Sequence, residues 1–433
     1  MAALRASFSF YRLLIFLATV WTLASCILLL DSNLFSAREK FQESDFIMTF
    51  YVAGYLVANG RSQELYPSPA ARSFIDSPFD KAAHRLLLHL PKHTTGAYMY
   101  TPLVAGFFAP FSFLDPNSAM LVWQIFSVIA LAGSMVLLAH AARATASDIF
   151  FLSFLFAPVF LTLWAGQLGL VFGLLPLCLG YVLILRRNPF SAGLVWSLLL
   201  LKPQFLIPAA FVAIVCGCMK RFLTLIGMTL GIAGLLLLTI GLFSWPVTLH
   251  WVLSHRVSDA YFFSGLQGIP SHLVTGLPAN LMILLPINIR ETVKLPLYIA
   301  SAAAWLYGLW FCLEFRKLPT NIVSEISLPL TIGVILASLT LPHFLYYDLC
   351  VLLPAGVLLL AKNSPIGSNE LRVVGLLGWI AISAFFPLLL AFAYSAGLSL
   401  LLEFIILLLF LVLLTRLRYQ LNARVSGDSP IPV

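Results

Sequence analysis

A small set of polar side chains interrupts this very apolar chain, and their types suit contacts with phosphates and hydroxyls. They form four clusters, which contain Asp45 in "SDFIMTFY", Gln167 in "WAGQLG", Lys202 and Gln204 in "LKPQF", and His343 and Tyr347 in "PHFLYYD". A lysine can fix a phosphate charge, while amide and imidazole groups donate hydrogen bonds to phosphate or hydroxyl oxygens. Any shared function depends on whether the surrounding helices bring the clusters together.

The composition identifies the class of protein in which these clusters lie. Of 433 residues, 61% are hydrophobic and 10% are charged, with a mean hydropathy of +0.98. Soluble domains carry about 25% charged residues, so the sequence predicts an all-α polytopic membrane protein. The net charge of +8 then indicates basic cytoplasmic loops rather than binding to nucleic acid.

The cysteines do not predict a metal centre or a disulfide framework. All six lie in apolar stretches, and the spacing of Cys216 and Cys218 does not suit zinc. We therefore expect no metal and no cofactor, and we expect the cysteines to behave as small apolar residues.

Basic residues at one side of successive apolar runs predict about twelve membrane spans with both chain ends in the cytoplasm. The predicted spans are 10–30, 119–141, 149–164, 169–185, 190–203, 205–219, 222–243, 295–315, 326–341, 346–361, 373–394 and 398–415. The first is interpreted as a retained anchor, with lipoprotein-type processing at Cys26 as the alternative. The short run "TPLVAGFFAPFSFLDP" at 101–116 is predicted to be interfacial or re-entrant.

This threading predicts one membrane domain over 1–433 and places the polar clusters on one side of it. Its long outer loops are 31–98, with amphipathic helices, and 244–294, with Arg256; a short cytoplasmic tail follows at 419–433. Polar groups at membrane depth are costly and tend to be functional. We therefore expect a single site at the outer membrane–water boundary.

Each cluster also has a purely structural interpretation. Lys202 could extend its ammonium to the membrane surface, and Gln167 could belong to a simple turn beside Gly166. Ser44 or Asp45 could cap a helix that ends at Gly60.

The last cluster depends on its secondary structure. If it is helical, His343, Tyr346 and Tyr347 share one face, although the tyrosines alone are typical of an interfacial belt. The role of Asp348 stays open.

In their order along the chain, the motifs resemble a known family. "FYVAGYLVANG", "YMYTPLVAGFF", "GQLGLVFGLLPL", "LLKPQ" and "LPHFLYYDLCVLLPA" are similar to glycosyltransferase family 87, the bacterial polyprenol-phosphate-dependent mannosyltransferases with the C-type glycosyltransferase fold. The resemblance runs from about residue 44 to 362, and its most specific part extends from Gly166-Gln167 to Gln204.

The resemblance implies an inverting single displacement at the outer face of a bacterial plasma membrane. A hexose, with mannose as the first candidate, would move from polyprenyl phosphate to a glycolipid or glycan hydroxyl. Asp45 would be the catalytic base. Lys202, Gln204, His343, Gln167, Arg256 and Tyr347 would bind the donor phosphate or sugar.

Two other functions stay open at this stage. Broken helices around a polar cavity would also suit a flippase or transporter of lipid-linked sugars, although transporter sites usually lie near the midplane. A polymerase or ligase that uses lipid-diphosphate glycans would share the enzyme class but not the donor.

Overall fold

A computed structural model describes most of the chain. The described residues are 13–27, 44–71, 73–88, 90–92, 94–263, 273–315, 322–361, 366, 369–391 and 396–425. Within them the chain is almost entirely helical, which confirms the predicted all-α class.

The first part of the described chain contains one isolated helix and a group of short ones. The helices are α1 (Leu13–Ile27), α2 (Val52–Ala58), α3 (Pro78–Leu86) and α4 (Pro102–Phe108). A π-helical segment, Phe46–Tyr51, runs directly into α2, and a 3-10 segment, Ala109–Phe113, continues α4. Gly60, with φ at +68°, follows the end of α2, as predicted.

The π-helical segment and α2 bury one set of side chains in a dense aromatic cluster. Phe46 and Phe50 are fully buried, and their rings pack on α4. Met48, Thr49 and Tyr55 are only partly buried. The amphipathic helix at this point therefore stays a prediction.

The middle of the chain is a series of helices with short connections. They are α5 (Pro116–Ala142), α6 (Ala146–Ser153), α7 (Ala157–Ala165), α8 (Leu175–Leu185), α9 (Pro189–Ser197), α10 (Pro203–Cys218) and α11 (Leu223–Phe263). Proline at the first helical position starts several of these helices, since its missing N–H has no partner there in any case. A second π-helical segment, Gly169–Leu174, leads into α8, and a 3-10 segment, Leu198–Leu201, follows α9.

The last third adds two short strands and six helices. The elements are β1 (Val274–Thr275), α12 (Leu277–Leu284), α13 (Ile287–Phe315), α14 (Ile322–Thr340), β2 (Phe344–Leu345), α15 (Leu353–Leu360), α16 (Asn369–Ala391) and α17 (Ala396–Val425). The strands pair antiparallel, with Val274 opposite Leu345 and Thr275 opposite Phe344. A 3-10 segment, Tyr346–Leu352, joins β2 to α15.

Among the described residues, five helices are long and apolar enough to cross a membrane, or six if the bent pair α6–α7 is one span. The other predicted spans correspond to helical stretches of 10–17 residues, such as Gly169–Leu185 and Pro203–Cys218. A straight crossing needs about 20 residues. The multi-pass character is therefore supported, while the number of twelve stays a prediction.

Basic residues end several helices at the predicted inner turns. Arg143, Arg187 and Lys220 have φ values of +52°, +59° and +62°. A left-handed residue at this position stops a helix and turns the chain back. A cation there also interacts favourably with the negative end of the helix dipole.

Two of the three apolar clusters among the described residues border the candidate site. The first surrounds Phe46, Trp123 and Leu168. The second contains Phe205 and Tyr347 together with the packed faces of the later helices.

Candidate functional site

The carboxylate of Asp45 is bound by an amide from another part of the chain. Gln167 donates from Nε2 to Asp45 Oδ2 at 2.7 Å. Asp45 makes no capping bond, whereas Ser44 Oγ accepts from the N–H of Ile47 at 3.3 Å. The cap interpretation of Asp45 is therefore wrong, because its side chain faces Gln167 instead.

The turn that carries Gln167 is fixed tightly against the start of the π-helical segment. Gly166 has φ at +67°, and a Cβ on it would lie 2.5 Å from Phe46 Cβ and 2.8 Å from Met120 Sδ. On α5, Trp123 Nε1 donates to the Gly166 carbonyl at 2.8 Å. A glycine is therefore needed for this close approach, which sets the distance between Asp45 and Gln167.

Lys202 lies fully buried at the break before α10. Its side chain is 1% exposed, and Nζ lies 2.7 Å from Asp348 Oδ1. The interpretation of Lys202 as a side chain that extends to the membrane surface is therefore wrong, since a buried acid neutralises its charge.

Asp348 is held in turn by the strand before it. The N–H of Leu345 donates to Asp348 Oδ2 at 3.1 Å. Thr162 Oγ1 on α7 donates to the Tyr347 carbonyl at 2.9 Å, which ties the 3-10 segment to the helix before Gln167. Both oxygens of the Asp348 carboxylate therefore have a partner, since Oδ1 lies beside the Lys202 ammonium and Oδ2 accepts from Leu345.

Gln167 joins the two halves of the site. Its Oε1 lies 3.5 Å from Lys202 Nζ and 3.4 Å from the hydroxyl of Tyr100, while its Nε2 is bonded to Asp45. The amide orientation is thereby determined, with its donor toward the carboxylate and its acceptor toward the ammonium. The resulting order of contacts is Asp45, Gln167, Lys202, Asp348.

Two aromatic rings flank the ammonium group. Nζ of Lys202 lies 5.6 Å from the ring centroid of Tyr100 and 5.4 Å from that of Tyr347. At these distances a ring face attracts a cation. The two rings therefore help to stabilise a charge that no water reaches.

The last polar cluster is not one helix. Residue 343 lies in a turn, Phe344–Leu345 is a strand, and the helix begins only at Tyr346. Tyr346 donates to the Ile382 carbonyl on α16, whereas the ring of Tyr347 faces Lys202. The condition for His343, Tyr346 and Tyr347 to share a helical face is therefore not met, because strand pairing with β1 extends the backbone there.

Gln204 and His343 lie at the edge of the site. Gln204 Nε2 donates to the backbone carbonyl of His343 at 3.2 Å, and its Oε1 is buried. The contact joins the first turn of α10 to the segment that precedes Asp348. Gln204 therefore helps to position that segment.

The electrostatics around Asp45 combine opposing effects. Burial raises the pKa of the Asp45 carboxyl above its ordinary value, while the bond from Gln167 and the charge of Lys202 lower it in part. The charge of Asp348 adds a smaller increase. A carboxylate with a raised pKa is a stronger proton acceptor than an exposed one.

The helix α11 includes position 256, but the side chain of Arg256, a predicted site residue, lies outside the described residues. Among the described residues, no group of three His, Cys, Asp or Glu side chains could hold a metal ion.

Asp348 and Tyr100 belong to the site but were not among the predicted site residues. The sequence did contain an indication for Asp348. A buried lysine is stabilised by a nearby acid, and the cluster "PHFLYYD" ends with Asp348. Tyr100 had no comparable signal, since aromatic residues are frequent throughout this chain.

The family is clear from sequence comparison. Residues 98–338 match glycosyltransferase family 87, which is more than half of the chain. The chain therefore belongs to glycosyltransferase family 87 and is a membrane glycosyltransferase. Gln167, Lys202 and Gln204 lie within the matched range, whereas Asp45 and His343 lie outside it.

No curated protein and no solved structure matched the chain.

Proposed function

We propose that this glycosyltransferase moves a hexose, with mannose as the sugar, from a polyprenyl-phosphate donor to a hydroxyl of an envelope glycolipid or glycan. The observation that carries the proposal is the chain of contacts from Asp45 through Gln167 to Lys202. It places a proton acceptor and a cation on either side of a single amide group. Transfer of a sugar from a phosphate to a hydroxyl needs these two groups close together.

In this mechanism Asp45 is the catalytic base. Gln167 binds Oδ2 and fixes the carboxylate, so Oδ1 takes the proton from the acceptor hydroxyl. The acceptor oxygen forms a bond to the anomeric carbon as the bond from that carbon to the phosphate oxygen breaks. The electron pair of the breaking bond leaves with the polyprenyl phosphate, and the anomeric configuration inverts.

Lys202 opposes the negative charge that grows on the departing phosphate. A preorganised charge in a site without water is effective because no solvent has to reorganise during the reaction. Tyr347, which packs on the ammonium, keeps water from this side. His343, Gln204 and Arg256 complete our proposed donor site.

We further propose the C-type glycosyltransferase fold in a bacterial plasma membrane, with about twelve crossings and the site on the extracytoplasmic side. Arg143, Arg187 and Lys220 lie in basic turns. These turns support a cytoplasmic position for the helix ends that carry them, and thus an extracytoplasmic position for the site. Labelling of single cysteines at these turns with an impermeant reagent tests the orientation, and labelling from outside in intact cells would contradict it.

The test of the reaction is Asp45→Asn. Asn keeps the shape of the side chain but does not accept a proton at neutral pH, so we expect transfer to fall about 10²–10⁴-fold. Binding of polyprenyl-phosphomannose should persist. The measurement is the labelled product formed by the reconstituted full chain with radiolabelled donor and an envelope glycolipid fraction.

The matched control is Asp115→Asn. Asp115 is an exposed acid that caps α5 by accepting from the N–H groups of Asn117 and Ser118, and Asn caps equally well. Transfer should therefore be unchanged in the control. Near-normal transfer by Asp45→Asn would sink the proposed base. Movement of the labelled lipid across a vesicle membrane without a covalent product would favour a flippase.

A further inference from the structure

The charges of the described site side chains do not balance. Asp45 and Asp348 each carry a carboxylate, and Lys202 carries the one permanent positive charge among the described side chains of the site. The Lys202 charge is already paired, since Nζ lies 2.7 Å from Asp348 Oδ1 and both side chains are at most 2% exposed. With both acids ionised, these side chains have a net charge of −1.

An anionic donor that approaches Lys202 therefore also approaches Asp348. Like charges a few ångströms apart in a buried site repel each other much more strongly than they do in water. Salt screens such buried charges poorly. Each additional negative charge on the donor thus increases the repulsion, while the attraction from Lys202 is shared with its existing partner.

We propose that Asp348 is a specificity-determining residue that selects lipid-linked donors by the number of negative charges on the phosphate. This inference rests on the proposed function, because it concerns the same donor. A sugar on a lipid monophosphate is a phosphodiester with one negative charge, whereas a sugar on a lipid diphosphate carries one more. Lys202 paired with Asp348 favours the monophosphate donor, whereas a lysine without its acid partner would favour the diphosphate donor.

Asp348 makes two kinds of contact, because one carboxylate oxygen caps the start of the 3-10 segment and the other lies beside Lys202. Its Oδ2 accepts from the Leu345 N–H, so the strand pair β1–β2 holds the carboxylate in place independently of the ligand. Its Oδ1 lies 2.7 Å from the ammonium, which Gln167 and the rings of Tyr100 and Tyr347 also contact. The carboxylate therefore stays beside Lys202 when a donor phosphate arrives.

The experiment measures binding rather than turnover. Polyprenyl-phosphomannose and polyprenyl-diphosphomannose of one chain length are titrated into the reconstituted full chain without acceptor, and the ratio of their dissociation constants is determined. In the wild type we expect the monophosphate donor to bind more tightly. In Asp348→Asn we expect the ratio to shift toward the diphosphate by about tenfold or more, from the loss of one nearby charge.

Asp348→Glu retains the charge and is the matched control, so its ratio should stay close to the wild-type ratio. A second neutral variant, Asp348→Ser, leaves room for water beside Lys202 and keeps the test open if Asp348→Asn does not fold. An unchanged ratio in a folded neutral variant would overturn the inference. Failure of both neutral variants to fold would also overturn it, because Asp348 would then serve the structure alone.

The result is separable from that of the proposed function. If polyprenyl-phosphomannose binds to neither the wild type nor any variant, the proposed donor is wrong. If polyprenyl-phosphomannose binds and its mannose is transferred, but the ratio of dissociation constants does not depend on the charge at position 348, only the specificity role of Asp348 is wrong.

Discussion

The two ends of α10 each carry an ion pair to the same later part of the chain, and the pairs differ in their exposure to water. Before α10, Lys202 meets Asp348 at 2.7 Å with side chains 1% and 2% exposed. After α10, Arg221 meets Glu325 at 3.1 Å with side chains 26% and 21% exposed. One helix therefore has a buried ion pair, called dry here, at its start and a partly exposed ion pair, called wet, at its end.

The comparison separates stability from function. A wet pair contributes about 0–1 kcal/mol. A dry pair has lost the hydration of both charges, and apolar residues of similar volume are often equally stable or more stable. The pair beside Asp45 is thus explained better by the chemistry of the site than by the stability of the fold.

The largest expected effect is that of Lys202→Ala. This change leaves Asp348 buried without its ammonium partner, so we expect a loss of about 3–5 kcal/mol of stability together with the loss of transfer. Thermal unfolding in detergent measures the first effect, and labelled product measures the second. A melting temperature equal to that of the wild type would contradict the view that the pair is dry.

A double replacement, Lys202→Met with Asp348→Leu, separates the contribution of the ion pair to stability from its contribution to transfer. It removes both charges and fills the space, so most of the stability lost in Lys202→Ala should return, with a gain of about 1–4 kcal/mol over the wild type at most. Transfer should stay absent, because the cation is gone. Recovery of transfer in the double variant would show that the pair is only structural.

The pH dependence of transfer tests the state of Asp45. The base acts only when deprotonated, and burial raises the pKa of its carboxyl above the ordinary value. The rate should therefore be constant at high pH and fall by about tenfold per unit as pH drops through this raised pKa. The measurement is kcat/KM against pH.

The wet pair provides the control for that profile. Arg221→Ala should leave the pH profile of transfer unchanged, since Arg221 lies at the opposite end of α10 from the site. A wild-type rate that rises on acidification would show that Asp45 does not act as the base.

The smallest expected effect is that of Glu325→Ala on stability. Its partner Arg221 is partly exposed and can be hydrated when the acid is removed, so the loss should be about 0–1 kcal/mol. Thermal unfolding beside the Lys202→Ala variant gives the direct comparison. A loss as large as that of Lys202→Ala would remove the distinction between the two pairs.

The sequence alone predicted the helical membrane class and the meeting of distant clusters. Polar residues are rare in this chain, and the basic turns fix the direction of each crossing, so Asp45, Gln167 and Lys202 could be placed on one side. That placement agrees with the contacts between them.

Contacts that depend on tertiary packing could not be predicted. The sequence left Asp45 as a helix cap or a catalytic base, and its contact with Gln167 depends on a turn that lies 122 residues later in the chain. The secondary structure of the segment from His343 to Asp348 stayed open, since strand pairing with a two-residue partner about 70 positions earlier leaves no local pattern.

The separation of Lys202 from Asp348 along the chain has a consequence for biosynthesis. The ribosome releases Lys202 about 150 residues before Asp348, a delay of roughly 7 to 30 s at ordinary rates of translation. Throughout that delay a short apolar helix carries an ammonium group whose counter-ion has not yet been made. The ion pair beside α10 is therefore completed only when the last third of the protein arrives, and a chain truncated before Asp348 would lack the acid that pairs with Lys202.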